Sequence, residues 1–290
     1  MSLGVDKTYW VYLPRGYDGT DARFPTIYML HGLGGNEKNW LDHGALKEAA
    51  DALSLRAIVV MPDGDASFYV DGPPGESYEA CLAKKPEPNP GESPSTFCVK
   101  TPRYESYVTS DLLREVEGRY RTIPKREARG IGGLSMGGFG AMMLAMRHQD
   151  LYSAVASHSG LVALTYVGPH PWAKGKTVLA GSVSEWGGGY PKALSDLVKT
   201  IFGPQIERYR GFDPSLLAAK LAPGALAIYF DCGAQDDFHF EDHASYLDEV
   251  LTAHGVEHTF ELAPGHHIFD FWKTRLPKSL AFFDAKLAHQ

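Results

Sequence analysis

Residues Gly133, Leu134, Ser135, Met136 and Gly137 spell G-x-S-x-G, and their surroundings make the pattern chemical. An apolar run, ARGIGGLS, leads in, and an alanine- and methionine-rich stretch, GGFGAMMLAMRHQ, leads out. A serine at a sharp turn from strand to helix is held with its hydroxyl exposed above the sheet edge. Small residues two before and two after it let strand and helix close up. The competing readings are a Gly-rich turn without chemistry and a phosphate-binding loop. A dinucleotide fingerprint needs G-x-G-x-x-G, but counted from Gly130 the last position is Ser135, and no Walker lysine follows.

A serine hydroxyl is a weak nucleophile until a base takes its proton, and the base needs a third group to orient it. Downstream, in the order serine, acid, histidine, ALAIYFDCGAQDDF puts Asp236 and Asp237 just past an apolar strand. HTFELAPGHHIFDFW then puts His266 and His267 just past another. Within each pair the residue types leave the choice open, and a helix N-cap or a solvated histidine pair is the plainer alternative. Upstream, IYMLHGLGGNEKNW sets a strand before His31, Gly32, Leu33, Gly34 and Gly35, where small residues leave backbone N–H groups to point into a site. Leu33 and Met136 are the expected oxyanion donors, and one such donor contributes about 3 kcal/mol to the transition state. An ordinary strand-to-loop turn is the alternative, and His31 is expected to brace the loop by hydrogen bonding. His239 and His243 stand four apart with Asp242 between them, one-face spacing for two metal ligands. No HExxH glutamate or cysteine accompanies them, so the expectation is a solvated helix start and no metal.

These groups need a scaffold, and the chain alternates short apolar runs with longer helical patterns, the signature of an α/β fold with a mainly parallel sheet. The strand candidates are KTYWVYLP, TIYMLH, AIVVMP, ARGIGGLS, SAVASHS, ALAIYFDC and HTFELA. Helix candidates include ALKEAADALSL, YESYVTSDLLREVEGRY, GGFGAMMLAMRHQ, EDHASYLDEVLTAHG and FWKTRLPKSLAFFDAKL. Nearly continuous apolarity in AIVVMP and ALAIYF suits strands covered on both faces. Two stretches interrupt the alternation, a Cys-flanked segment within 64–103 and the Gly-, Pro- and Trp-rich residues 160–215, where only PKALSDLVKTIF reads as a helix. Loops this long inside a compact domain are usually lids or binding walls. Because sheet strands continue on both sides of each, one domain over 1–290 is expected.

Composition narrows the partners. With 290 residues, 44% hydrophobic and 22% charged, the chain is that of a globular protein with a sizeable core. No stretch approaches the roughly 18 to 20 apolar residues of a membrane span. The 28 basic and 35 acidic residues give a net charge of -7 without a Lys/Arg run, which argues against nucleic acid. The opening SLGVDKTYWVYLP has no basic start, apolar core or small-residue cleavage site. The expectation is therefore either a cytoplasmic protein or a secreted or periplasmic one whose leader lies outside this sequence. Cys81 and Cys98 bound a Pro- and Gly-rich segment with little apolar content. They are either a disulfide, which would stabilise the loop by about 3 kcal/mol and persist only in an oxidising compartment, or two separate thiols. Cys232 sits in an apolar run and is expected to be buried.

Taken together, these motifs resemble the esterase D-like family of α/β hydrolases, which includes S-formylglutathione hydrolases, short-chain carboxylesterases, feruloyl esterases and mycolyltransferases. The likeness rests on YWVYLPRGYD, PTIYMLHGLGGNEKNW, FYVD, YESYVTSDLLREVEGRY, GLSMGG, DCGAQDD and PGHHIFDFW, and so covers nearly the whole chain. It implies an α/β-hydrolase fold, with helices on both faces of the sheet, and a catalytic triad of Ser135, Asp236 and His267. The family's Gly three before the acid selects Asp236 over Asp237, and its His five before a Trp selects His267 over His266. The segment from about Glu76 to Thr101 departs from the family pattern, in which FYVD runs quickly into YESY. It is expected to overhang the pocket. The function implied is serine carboxylester hydrolysis of short-chain or small aromatic, including feruloyl, esters through an acyl-enzyme, with no cofactor. A thioesterase of the S-formylglutathione type, an acyltransferase, and a non-catalytic binding protein on the same fold are the alternatives. Trp40, Phe68, Tyr69, Trp172 and Trp186 are candidate acyl-pocket aromatics. The oligomeric state, a homo-oligomer included, is left open.

Overall fold

All seven strands expected from the sequence form, and they lie in one sheet. In the computed structural model, which describes residues 1–73, 77–84 and 98–289, these are β1 (Tyr9–Tyr12), β2 (Thr26–Leu30), β3 (Ile58–Pro62), β4 (Arg129–Leu134), β5 (Ala154–His158), β8 (Ala227–Gly233) and β9 (His258–Ala263). Two short strands between them, β6 (Tyr166–Gly168) and β7 (Val178–Leu179), make a separate antiparallel ribbon. The sheet order is β1-β3-β2-β4-β5-β8-β9, with β1 antiparallel to β3 and every other neighbouring pair parallel.

The continuous apolarity of the central strands is explained by cover on both faces. Along β2, Ile27 and Met29 point to one side, and Tyr28 and Leu30 to the other. The first side is packed by the helices Leu46–Ala52 and Phe269–Lys286. The second is packed by residues 104–119 and by the helices Met136–Arg147 and Phe240–Ala253. Strand β4 carries glycines where Phe269–Lys286 crosses it. A Cβ at Gly130 would stand 2.7 Å from the Phe283 ring, so the helix can lie this close only on a bare backbone.

Two local departures from the sequence reading have physical causes. The helix over 104–119 is not uniform: Tyr107–Asp111 forms a π turn between Tyr104–Ser106 and Leu112–Arg119. Within it the Thr109 hydroxyl donates back to the Glu105 carbonyl of the preceding segment at 2.7 Å. Residues 160–215 hold more helix than the single pattern expected, since Ile206–Phe212 and Pro214–Ala218 follow Lys192–Phe202. Asp213 caps the last of these through Ser215 N (2.9 Å), with Pro214 at the first helical position. Cys81, on the helix Tyr78–Ala83, is disulfide-bonded to Cys98, with Cα atoms 5.8 Å apart. Residues 85–97 of the enclosed segment, where an overhang of the pocket was expected, lie outside the described residues. Among the described residues no helix is long and apolar enough to cross a membrane.

Candidate active site

The chain runs from β2 to β3 on one side and returns to place β4 on the other, so the direction of winding changes between β2 and β4. Crevices at the carboxyl ends of strands gather at such a switch, and both Gly-rich loops leave the sheet there. At the end of β4, Ser135 has φ 52 and ψ -118, a strained conformation for a residue with a side chain. Its backbone N–H donates to the His158 carbonyl at 2.9 Å. The flanking glycines show why the pattern needs them. A Cβ on Gly133 would lie 2.4 Å from the Gly137 carbonyl oxygen, and one on Gly137 would lie 2.5 Å from the Leu30 carbonyl oxygen.

Ser135 Oγ lies 2.8 Å from His267 Nε2, and His267 Nδ1 lies 2.7 Å from Asp236 Oδ2. The Asp236 side chain is fully buried and that of His267 is 7% exposed. The carboxylate is fixed from its other side, since the Phe238 and Phe240 amides donate to Oδ1 at 3.0 and 3.5 Å. The Cys232 thiol donates to Oδ2 at 3.6 Å. Cys232 is buried as expected, and burial pushes its thiol pKa well up. The imidazole stands edge-on to Phe238, Phe240 and Trp272, with ring centroids 4.8, 5.3 and 5.0 Å away. Each residue of the two adjacent pairs therefore has its own partner. Asp237 Oδ2 accepts the His267 backbone N–H at 3.0 Å, and its Oδ1 lies 3.4 Å from His266 Nδ1. The outer pair holds the backbone of the inner one, a contact that residue spacing could not show.

The loop after β2 turns at Gly32, whose carbonyl accepts from Gly35 N–H at 3.0 Å, with Gly34 at φ +75 where a side chain would be strained. Leu33, inside this turn, and Met136, first in its helix and so without an intrahelical acceptor for its N–H, line the same cavity as Ser135. His31 braces the loop. Its Nε2 accepts the Gly64 N–H at 2.8 Å, so its Nδ1 carries the proton and donates to the Gly32 carbonyl at 2.8 Å. Tyr69 OH donates to the His31 carbonyl at 3.0 Å. Behind them Lys7 pairs with Asp63 (2.7 Å) and Asp65 (2.5 Å). Burial works against the Asp63 carboxylate, but the Lys7 ammonium outweighs it and holds its pKa below the ordinary carboxylate value.

A second serine–histidine–aspartate contact lies beneath the site. His158 Nε2 is 2.9 Å from Ser279 Oγ, and its Nδ1 is 3.0 Å from Asp231. All three side chains are sealed from solvent, and Arg275 and Tyr229 also bind the Asp231 carboxylate, so this group ties the helix Phe269–Lys286 to β5 and β8. No substrate can reach it.

The cavity above Ser135 has a volume of about 460 Å³. Phe68, Leu161, Leu194, Val198, Phe269 and Trp272 are among its apolar lining residues. Of the five aromatics singled out in the sequence, Phe68 alone is among its lining residues. Trp40 is buried with its indole N–H on the Leu30 carbonyl (3.0 Å), Trp186 with its own on the Leu164 carbonyl (2.5 Å), and Tyr69 supports the His31 loop. Trp172 is held by its backbone N–H at Asp242 (2.7 Å). The expected helix start at His239 and His243 is also different. His239 is half exposed, whereas His243 is buried, with Nδ1 on the Ala163 carbonyl (2.8 Å) and Nε2 on Tyr190 OH (2.9 Å). Burial lowers the His243 pKa to about 4. Among the described residues no group of three or more His, Cys, Asp or Glu could hold a metal ion. A hydroxyl bonded to an imidazole that is itself oriented by a buried carboxylate can pass its proton to that imidazole and attack an electrophilic carbon.

The chain is similar to known esterases. Residues 1–283 match a family model described as "Putative esterase". The chain is 25% identical over 262 residues to an acetyl esterase of Caldicellulosiruptor saccharolyticus, covering 88% of this chain and 81% of that protein. It is 26% identical over 276 residues to an esterase of Mycobacterium tuberculosis, covering 92% of this chain but only 54% of that protein's length. It superposes on a ferulic acid esterase with a TM-score of 0.70 at 22% identity, over 99% of this chain and 95% of the other. It superposes on an S-formylglutathione hydrolase from Agrobacterium tumefaciens with a TM-score of 0.71 at 20% identity, over 99% and 92%. These likenesses establish the α/β-hydrolase fold.

Proposed function

We propose, from the premise that this chain belongs to the esterase family and is a hydrolase acting on esters, that it is a serine carboxylesterase for small apolar esters. The observation that carries the reading is the chain of contacts from Ser135 Oγ to His267 Nε2 (2.8 Å) and from His267 Nδ1 to the buried Asp236 (2.7 Å). Ser135 attacks the ester carbonyl carbon as His267 takes its proton, and Asp236 steadies the imidazolium that forms. The N–H groups of Leu33 and Met136 receive the oxyanion. As the tetrahedral intermediate collapses, the bond to the alcohol oxygen breaks and His267 protonates it. Water then repeats the sequence on the acyl-enzyme and releases the acid.

The cavity favours uncharged acyl groups, because apolar side chains dominate its lining and no Lys or Arg is among the described residues there. Short-chain acyl groups and small aromatic ones, feruloyl included, suit about 460 Å³ of such space. A thioesterase acting on S-formylglutathione is the second reading, favoured by the likeness to the Agrobacterium enzyme. The net charge of -7 and the absence of a cation from the described lining weigh against an anionic substrate. The test is a panel of p-nitrophenyl esters of rising chain length with methyl ferulate and S-formylglutathione, run on the protein and on Ser135→Ala. The proposal expects ester turnover that Ser135→Ala abolishes. A strong preference for the thioester would select the second reading.

A further inference from the structure

In ester hydrolysis through Ser135, His267 hands its proton to the leaving oxygen, so the alcohol portion of the ester must lie on the imidazole's side of the serine. On that side stands Phe238, its ring edge-on to His267 at 4.8 Å. Phe238 and Tyr190 each line both the main cavity and a second cavity of about 390 Å³. The two spaces differ in chemistry. The second is lined by His170, His239, Glu185 and the backbone of Gly187 to Gly189, beside the Tyr166 ring.

Glu185 accepts the Gly181 N–H on Oε2 and the Ser182 hydroxyl on Oε1, each at 2.9 Å, which holds its carboxylate in place with lone pairs to spare. The His170 and His239 rings meet edge-on at 3.8 Å. Nδ1 of His170 is paired with Asp242, and Nδ1 of His239 is 3.4 Å from Glu241. Among the described residues neither Nε2 has a hydrogen-bond partner. The shared wall is fixed, because Tyr190 OH donates to His243 Nε2 at 2.9 Å while His243 donates from Nδ1 to the Ala163 carbonyl at 2.8 Å. Glu185, Glu241 and Asp242 make the surroundings acidic, which disfavours an anionic group and supplies acceptors for hydroxyls.

We infer, resting on the serine-esterase reading, that this second cavity receives the alcohol portion of the ester and selects an uncharged alcohol with free hydroxyls over an alkyl alcohol. The acyl group stays in the apolar space above Ser135, while hydroxyls beyond Phe238 bond to the His170 and His239 imidazoles and to Glu185.

The test holds the acyl group constant and compares kcat/KM for glyceryl monobutyrate and ethyl butyrate, a ratio that does not depend on the fraction of folded enzyme. The full chain should favour the glyceryl ester by about tenfold, as two or three hydrogen bonds exchanged for those to water would give. His239→Asn, which tolerates the left-handed φ of 59 at this position, and Glu185→Gln, on the exposed rim, should each reduce the ratio by about threefold, mainly through KM. A wild-type ratio near one, or a ratio that neither variant moves, overturns the inference. Failure of the serine-esterase reading shows separately, as no turnover of ethyl butyrate or as turnover that survives Ser135→Ala.

Discussion

Asp236→Asn and Asp237→Asn change neighbouring carboxylates to the same amide, and the structure expects very different outcomes. Asp236 Oδ1 accepts two backbone N–H groups, from Phe238 and Phe240, and its Oδ2 faces His267 Nδ1 at 2.7 Å. An asparagine would keep its oxygen on the two amides and turn its NH2 toward His267. Two donors cannot face each other, so the imidazole would shift its proton to Nε2 and lose the lone pair that takes the Ser135 proton. The reverse orientation sets the NH2 against two buried N–H donors, an arrangement that costs about 1 to 3 kcal/mol for each unsatisfied group. The first orientation is therefore favoured, and kcat/KM should fall by about 10³ to 10⁴ with little change in KM. Asp237 is 55% exposed on its side chain, and an asparagine there still offers an oxygen to the His267 N–H. Its loss should stay within about threefold, as expected for an exposed pair. The assay is hydrolysis of p-nitrophenyl acetate from pH 5 to 9, with a thermal melt to confirm folding. Folded Asp236→Asn enzyme keeping more than about a tenth of wild-type turnover, or equal losses in both variants, would refute this reasoning.

Other perturbations have equally definite outcomes. Gly133→Ala drives a Cβ to 2.4 Å from the Gly137 backbone and should destabilise the fold by about 3 kcal/mol in urea melts. Gly118→Ala, on the exposed side of Leu112–Arg119 with nothing within 4 Å, should stabilise it by about 0.5 to 1 kcal/mol. His243 titrates at about 4 when folded, against 6.5 when free. The unfolded chain therefore binds a proton that the folded one refuses, and stability should fall as pH drops from 6.5 toward 4, by roughly 3 kcal/mol in all. Urea midpoints at pH 7 and 4.5 should show this slope, and His243→Gln should flatten it. Reduction of the Cys81–Cys98 bridge, which spans 17 positions, should cost about 3 kcal/mol and add the mass of two hydrogens. An unchanged mass would mean free thiols.

The scaffold was largely legible because each strand carries its own evidence. AIVVMP and ALAIYF are apolar throughout, and both are buried on the two faces of the sheet as β3 and β8. The turn at Ser135 was legible for the same reason, since its glycines answer contacts within a few residues and with the adjacent β2. The contacts of Asp236 and His267 depend on which way two neighbouring side chains turn, and family spacing chose between them where residue type could not. What failed was long-range. Trp40, Trp172 and Trp186 gave no sign of facing the core or a loop instead of the cavity. Tyr190, at the end of a Gly-rich run, and Leu194 and Val198, on the helix that PKALSDLVKTIF did announce, line it, but helical periodicity does not say what an apolar face covers. The bracing role of Asp237 needed coordinates. So did the inward turn of His243, four residues from a half-exposed histidine. A partial signal was missed at Asp213 and Pro214, where an N-cap acid followed by proline announces a helix.

The central claim, that Ser135 is the nucleophile, is tested most directly by labelling the protein with a fluorophosphonate and mapping the adduct by peptide mass spectrometry. A single adduct on Ser135, absent from Ser135→Ala and suppressed by a slowly turned-over ester, is the predicted result. An adduct on another serine, or labelling and ester turnover that persist in Ser135→Ala, would contradict it.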